Sequence, residues 1–323
     1  MEVLLRMDEK RTIFRMRSIN DNTLKAFFND EVYASSPLKF NDPYDVLACY
    51  DKDKLYEYFD LDKKGKFFLN NETNEIIKAS GYEYFDSDKI ANEWCKAKEK
   101  IYPLINGIAL NTMHQLREQL AIACFCNDVK KEIMWSHYAG NGTGFALEYD
   151  FDEVNAAISS YVRKNFESYK ENNIFKNCSF KLEDVKYTNK KANITKIIFK
   201  INKSCFSKGY KLFLTQKEFE RIVFRKRKEW QYESEVRLAL PTKKTPFEKL
   251  EGIKPKAIYL GEFISKEYQY ILCNAAKEKK IMVFQMYSKL EDRNFGLHCK
   301  FVSTNEIDDL IKKYKDIEHY SEL

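Results

Sequence analysis

The first fifty residues alternate between short apolar runs and polar, turn-forming segments. The apolar runs predict two strands, at Thr12–Arg17 and Val32–Ser35. Between them, the spacing predicts a helix over Thr23–Asn29, with Asp21 or Asn22 as its N-terminal cap. This part of the chain is therefore predicted to form a strand–helix–strand unit.

Two further apolar runs lie near the middle of the chain, at Ala121–Cys126 and Gly144–Tyr149. Each has the length expected of a buried strand. A short helix over Lys131–Tyr138 and a glycine-rich turn are predicted between them. A helix beginning at Phe151 and a strand near Val185–Tyr187 are predicted to follow.

The last third of the chain predicts three strands, at Glu233–Leu240, Ala257–Leu260 and Ile281–Met286. A helical pattern over Lys266–Lys279 connects the last two strands, which indicates one βαβ unit. The tail after Asn305 has the spacing of an amphipathic helix.

Together these elements predict an α+β protein with a mixed, largely antiparallel sheet and flanking helices. We expect a single domain over residues 1–323. Residues 52–118 are charged, aromatic and helix-like, and we interpret them as a helical insertion. Residues 194–228 are predicted to form a second, basic helical segment.

Composition limits the classes of protein without identifying a partner. The 55 basic and 49 acidic residues give a net charge of +6, which permits nucleic-acid binding without requiring it. The eight cysteines include no CxxC pair, so we expect reduced thiols and no structural zinc site. No apolar run approaches the roughly 20 residues of a membrane span, and the first residues do not resemble a secretory signal. We therefore expect a cytoplasmic protein without a membrane partner.

The segment WQYESEVRL carries the most concentrated set of polar candidates. In a strand, Glu233, Glu235 and Arg237 would share one face, because side chains alternate between faces. Two carboxylates beside a guanidinium can hold one carboxylate ionised and position a hydroxyl group or a cation. The alternative is a solvated strand face with a cross-strand ion pair.

Two other segments, FNDPYD and WSHYA, offer polar and aromatic groups for a ligand. Asn41 and Asp42 precede a proline and favour a preorganised turn that presents Asp42 or Asp45 to a ligand. His137 and Tyr138 supply a polar donor and a stacking ring. The alternatives are a rigid turn stabilised by its own side chains and a histidine that caps a helix.

Basic residues occur at the end of the first strand and before the late acidic segment. Arg15 and Arg17 share a strand face and could bind a phosphate or a carboxylate, or pair with the late glutamates. The run Arg225, Lys226, Arg227 and Lys228 could contact a nucleic-acid backbone. A solvated helix end is the alternative for this run.

The strings FRMRS, YASSPLKFNDPYD, CFC, MWSHYAGNGTGFALEYD, VKY, WQYESEVRL and AIYLG occur in this order between about residues 12 and 287. In this combination the chain resembles a bacterial family of domains of unknown function, typified by YRS, FNDP(F/Y)D, WSHYA and ExExR motifs. Met16 and Val236 stand where that family often has Tyr and Trp. Neither departure removes a polar candidate.

The order of these residues is also similar to that of the ADP-ribosyltransferase superfamily. The resemblance implies an ADP-ribosyltransferase-like fold and an enzyme that uses NAD as its substrate, with no metal. It implies that Arg17 or Arg15 holds the ribose or phosphates of NAD. It further implies that Glu235 bonds the ribose hydroxyl and Glu233 activates the acceptor. Nicotinamide would stack on Tyr138, Phe40 or Tyr44, and the other expected NAD-site residues are Ser18, Asn41, Asp42, His137 and Arg237.

Two other functions remain open. A metal-dependent nuclease would use Asp42, Asp45, His137 and Glu235 beside the basic segment 221–228. A binding module without catalysis would use the same polar set to bind a nucleotide or a partner. If the chain is a transferase, its acceptor is expected to be nucleic acid or protein. A role as a toxin or phage-defence effector, with an antitoxin or regulatory partner, is a further hypothesis.

Overall fold

The structure is a computed structural model that describes residues 10–54, 103, 106–107, 109–169, 174–198, 214–242, 247–293 and 296–321. Most of the expected helical insertion at 52–118 lies outside the described residues, although residues 109–118 form a helix. The basic segment 194–228 is described only in part, because residues 199–213 lie outside.

In the described residues, ten strands form one mixed sheet that is largely antiparallel, and the prediction of an α+β protein with such a sheet is confirmed. The strands are β1 (Thr12–Arg17), β2 (Val32–Ser35), β3 (Leu120–Cys126), β4 (Phe145–Asp150), β5 (Leu182–Asp184), β8 (Glu235–Pro241), β9 (Phe247–Leu250), β10 (Ala257–Leu260), β11 (Met282–Tyr287) and β12 (His298–Val302). The path runs β12-β11-β10-β4-β1-β3-β2-β9, while β8 pairs with β3 and with β5. Two short strands, β6 (Lys186–Tyr187) and β7 (Arg225–Lys226), pair in parallel beside this sheet.

Helices cover the sheet and connect its strands. The α-helices that carry bounds are α1 (Asp21–Phe28), α2 (Glu132–Tyr138), α3 (Phe151–Tyr169), α4 (Gln216–Val223), α5 (Lys266–Lys279) and α6 (Thr304–Ser321). Two 3₁₀ helices span Pro37–Lys39 and Lys228–Glu233. Across the described ranges, we find no helix with the length and apolar character needed to cross a bilayer.

Several local predictions are confirmed. Strands β1 and β2 have the predicted bounds. The βαβ unit is also present, because β10 and β11 are parallel and α5 connects them. The predicted cap of α1 is wrong. Asn20 caps this helix, accepting from the Thr23 backbone N–H at 3.0 Å, and the Thr23 hydroxyl bonds the Asn20 N–H in return. This reciprocal capping box satisfies two backbone N–H groups and moves the helix start two residues earlier than expected.

Candidate functional site

The candidate site is a cleft at the point where two strands separate over a third. Strand β3 pairs with β8 along one edge over its whole length. Its other edge pairs with β1 at Cys126 and with β2 at Ile122. Between these contacts lies a cavity of about 430 Å³, here called the main cleft. Its lining comprises Phe14, Arg15, Met16, Arg17, Ser35, Lys39, Phe40, Asn41, Asp45, Ile122, Cys124, Phe125, Cys126, Met134, His137, Tyr138, Lys226, Glu233 and Glu235.

Behind this lining lies a buried ion pair between Arg237 and two carboxylates. The Arg237 side chain is fully buried, and its Nε and Nη2 donate to the two oxygens of Glu235 at 2.7 and 3.1 Å. Its Nη2 also donates to Asp45 at 2.6 Å, and its Nη1 donates to the Val223 carbonyl at 2.7 Å. Because a buried guanidinium must find acceptors for its N–H groups, Arg237 holds both carboxylates in place.

Lys226 connects this ion pair to the mouth of the cleft. Its ammonium donates to Glu233 at 2.5 Å and to Glu235 at 3.1 Å, and lies 3.6 Å from Asp45. The second oxygen of Glu233 accepts from the Tyr138 hydroxyl at 2.5 Å. That hydroxyl in turn accepts from the Asn41 amide at 3.5 Å. A continuous hydrogen-bond chain therefore runs from the FNDP loop to the buried pair.

The charges in this network do not balance. Three carboxylates face two cations, so one carboxylate lacks a full counter-charge. Burial would raise the pKa of Glu235, but Arg237 and Lys226 overcome that effect and lower it to about 2. Burial raises the pKa of Glu233, and Lys226 only partly opposes this. Glu233 is therefore the carboxylate that can exchange a proton near neutral pH.

The remaining groups of the network keep their protons. Burial opposes charge on Lys226, but its carboxylate neighbours raise its pKa. Burial, followed by the bond to Glu233, raises the pKa of the Tyr138 hydroxyl. Burial also raises the pKa of the Cys124 thiol, which contacts Glu235. These three groups can donate hydrogen bonds, and Cys124 is not suited to act as a thiolate nucleophile.

Two strained turns position the acidic residues. Ser234 has a φ of 42°, which ends the 3₁₀ helix and lets β8 begin at Glu235. The prediction that Glu233, Glu235 and Arg237 share one strand face is thus wrong for Glu233, which reaches the cluster from the helix. Val46, next to Asp45, has a φ of 51°. Such a φ is costly for a β-branched residue, and strain of this kind concentrates at functional sites.

Two arginines on the opposite wall have no carboxylate partner among the described residues. Arg15 is buried, donates from Nη2 to the Tyr33 carbonyl at 2.5 Å, and has a buried Nε without a hydrogen-bond partner. Burial and the charge of Arg17 lower the pKa of Arg15 to about 9, so it remains charged at neutral pH. Burial lowers the pKa of Arg17 in the same way. Two desolvated cations without an anion are suited to bind an anionic ligand.

Aromatic and amide groups complete the cleft mouth. The His137 ring is exposed and stacks on Tyr232 at 6.0 Å, with the planes 29° apart. Phe40 and Asn41 enter from the loop after the first 3₁₀ helix. These groups offer flat surfaces and a hydrogen-bond donor beside the arginines.

The structure brings most of the predicted site residues to the main cleft, but it places three behind the lining. Ser18 donates to the Tyr138 carbonyl at 3.4 Å and so ties β1 to α2. Asp42 is buried and accepts from the Tyr44 N–H at 2.9 Å, in a turn closed by its own side chain. Arg237 contacts the carboxylates from the far side of the network. All three support groups that line the cleft.

The basic run also departs from expectation. Lys226 is buried in the acidic network, so the prediction that it contacts nucleic acid is wrong. Arg227 and Lys228 are exposed, and Arg225 is half-buried. The central role of Lys226 was not visible in the sequence, because nothing local shows which member of a basic run points inward.

The residues suggested for a nuclease do not fit a cation site. Asp45 and Glu235 already accept from Arg237 and lie beside the Lys226 ammonium. A divalent ion there would face two fixed positive charges. Within the ranges that the structure describes, no group of three or more His, Cys, Asp or Glu side chains is arranged to hold a metal.

A family model described as a protein of unknown function, DUF2971, matches residues 134–238. The match covers 105 of the 323 residues and supports similarity to a family of unknown function over that range. It includes Tyr138, Lys226 and both cleft glutamates, whereas the two arginines of β1 lie outside it. No curated protein and no solved structure matches the chain.

Proposed function

We propose that the main cleft binds NAD and that the chain is an ADP-ribosyltransferase-like enzyme with a corresponding sheet arrangement. The observation that carries this proposal is the pairing of opposite walls. Two desolvated arginines without an anion face a carboxylate, Glu233, whose pKa is raised by burial. The volume of about 430 Å³ lies within the range of small-molecule sites.

The arginine wall would hold the charged part of the substrate. Arg15 and Arg17 suit a pyrophosphate, because a guanidinium binds phosphate oxygens with two parallel hydrogen bonds. His137, Tyr138 and Phe40 supply ring surfaces for nicotinamide or adenine.

Glu233 takes the role that faces the substrate in this proposal. The bond between ribose C1′ and the nicotinamide nitrogen breaks, and its electron pair leaves with neutral nicotinamide. The resulting cation-like sugar is stabilised by the carboxylate. The acceptor hydroxyl or amine then bonds to C1′, and its proton passes to Glu233. Glu235, held by Arg237 and Lys226, acts as a positioning residue for Lys226 and Glu233.

Binding can be tested separately from chemistry, by calorimetry with NAD and with ADP-ribose. Arg17→Gln removes a charged hydrogen-bond donor and should weaken both ligands about tenfold or more. Arg163→Gln removes an equal charge from an exposed position on α3 and should leave affinity unchanged. If the wild-type protein binds neither ligand, or if both variants weaken binding equally, the NAD cleft is wrong.

Catalysis is tested by the release of nicotinamide from NAD, with and without cell lysate as a source of acceptor. Glu233→Gln should lower release about 100-fold or more, because it removes a general base, while NAD affinity persists. Glu291→Gln is the matched control, since Glu291 is exposed in a surface loop. NAD binding without release under any condition would reject the enzyme and support a nucleotide-binding module.

A further inference from the structure

A second cleft of about 390 Å³ lies on the other side of the Lys226 wall. One side is formed by the end of α4 and by β7. The other side is the loop 188–192, which is fixed at both ends. Thr188 donates from its N–H to the Lys226 carbonyl at 2.9 Å, and the Ala192 carbonyl accepts from the Cys49 N–H at 2.8 Å. This basic cleft is therefore a built feature, framed by backbone hydrogen bonds.

The basic cleft carries an uncompensated positive charge. Six basic residues and one acidic residue line it. Lys226 is neutralised by the buried carboxylates, and Arg227 pairs with Glu229 at 3.1 Å. The other four cations are Lys190, Lys191, Arg221 and Arg225. Within the described ranges no carboxylate pairs with any of these four.

A single aromatic side chain accompanies these charges. Tyr44 lines the basic cleft and is 56% exposed, with the Lys191 ammonium 6.0 Å from its ring centre. It belongs to the turn that Asp42 closes, so its backbone is held in place. An exposed ring on a fixed loop beside clustered cations is the arrangement that stacks a nucleobase while its phosphates are neutralised.

We infer that the basic cleft binds single-stranded nucleic acid, with a base on Tyr44 and flanking phosphates on Arg221, Arg225 and the lysines of the loop. A single strand is favoured over a duplex because its bases are free to stack in a cleft of nucleotide size. This inference goes beyond the proposed function and does not depend on it, since binding requires no NAD.

The test is fluorescence anisotropy of labelled oligothymidylate and oligouridylate of about 12 nucleotides, without NAD, over a range of salt concentrations. With four unpaired cations, the logarithm of the affinity should fall with the logarithm of salt concentration with a slope of roughly −3. Arg221→Gln combined with Arg225→Gln should reduce that slope by about 1.4. Tyr44→Ala should weaken binding at least about fivefold, whereas Tyr44→Phe keeps the ring and should bind as wild type does.

The matched control combines Arg163→Gln with Lys164→Gln, which removes two exposed charges from α3. It should leave both affinity and slope unchanged. The inference is overturned if the wild-type protein does not bind at low salt, or if the control weakens binding as much as the cleft variant. Equal affinity for duplex DNA or for polyphosphate, with no effect of Tyr44→Ala, would also reject it.

Discussion

The two cleft glutamates should respond very differently to replacement by glutamine. Glu235 is ionised and bonded to two cations, whereas Glu233 carries the charge that the network leaves unbalanced. We expect Glu235→Gln to destabilise the protein and Glu233→Gln to leave it nearly as stable as the wild type. The reason is that only the first variant leaves buried cations without their main counter-charge.

The size of the effect follows from the pKa of Glu235. Lowering that pKa from 4.5 to about 2 makes the ionised carboxylate more stable in the folded state by about 3 kcal/mol, at ~1.4 kcal/mol per pH unit. A similar cost, on the order of 3–5 kcal/mol, is typical when one partner of a buried ion pair is removed. For Glu233, burial raises the pKa, so its charge adds no stability. Its replacement should cost no more than about 1 kcal/mol, the value of one hydrogen bond.

Urea unfolding at pH 7, with equal m-values required for the comparison, measures both differences. The stabilisation from Glu235 should be complete above pH 4.5 and should disappear as the pH falls towards 2, because its pKa is lowered by folding. The stability difference between wild type and Glu235→Gln should therefore shrink across that window. Equal losses for the two variants, or a larger loss for Glu233→Gln, would refute the assignment of the unbalanced charge.

Two further changes test the architecture around the main cleft. Tyr138→Phe removes the hydroxyl that bonds Glu233 at 2.5 Å, so the pKa of Glu233 should rise further and the acidic limb of the nicotinamide-release profile should move to higher pH; an unchanged limb would contradict the hydrogen bond's role. Gly144→Ala would drive a Cβ into the Arg17 carbonyl oxygen, so thermal melting should show a large loss of stability or of soluble protein, while Gly107→Ala, with open space around it, should be tolerated; similar melting temperatures for the two would contradict the close approach.

Much of the fold could be predicted because the relevant signal is local. The apolar runs of β1 and β2 lie in consecutive residues, and so does the strand–helix–strand pattern around α5. Side-chain alternation and helical spacing act within a few residues, so the elements follow from the sequence. The cap of α1 was misplaced because Asn20, Asp21 and Asn22 are all suitable caps, and packing decides among them.

The candidate site was predictable in its members but not in its arrangement. Arg15, Glu235 and Arg237 were identifiable because charged residues inside apolar strands are costly and need a reason. Their chemical roles depended on partners that the sequence does not indicate. Asp45 bonds Arg237 across 192 residues of chain, a contact that no local pattern encodes.

The sequence by itself determined where most strands and helices form and which polar residues were candidates. Only the tertiary structure decided that Glu233 leaves the strand at Ser234 and that Lys226 turns inward while its neighbour Arg227 stays in solvent. The physical reason is that a charge can be buried only beside an opposite charge. For Lys226 those opposite charges come from the FNDP turn and the start of β8, segments that only folding brings together.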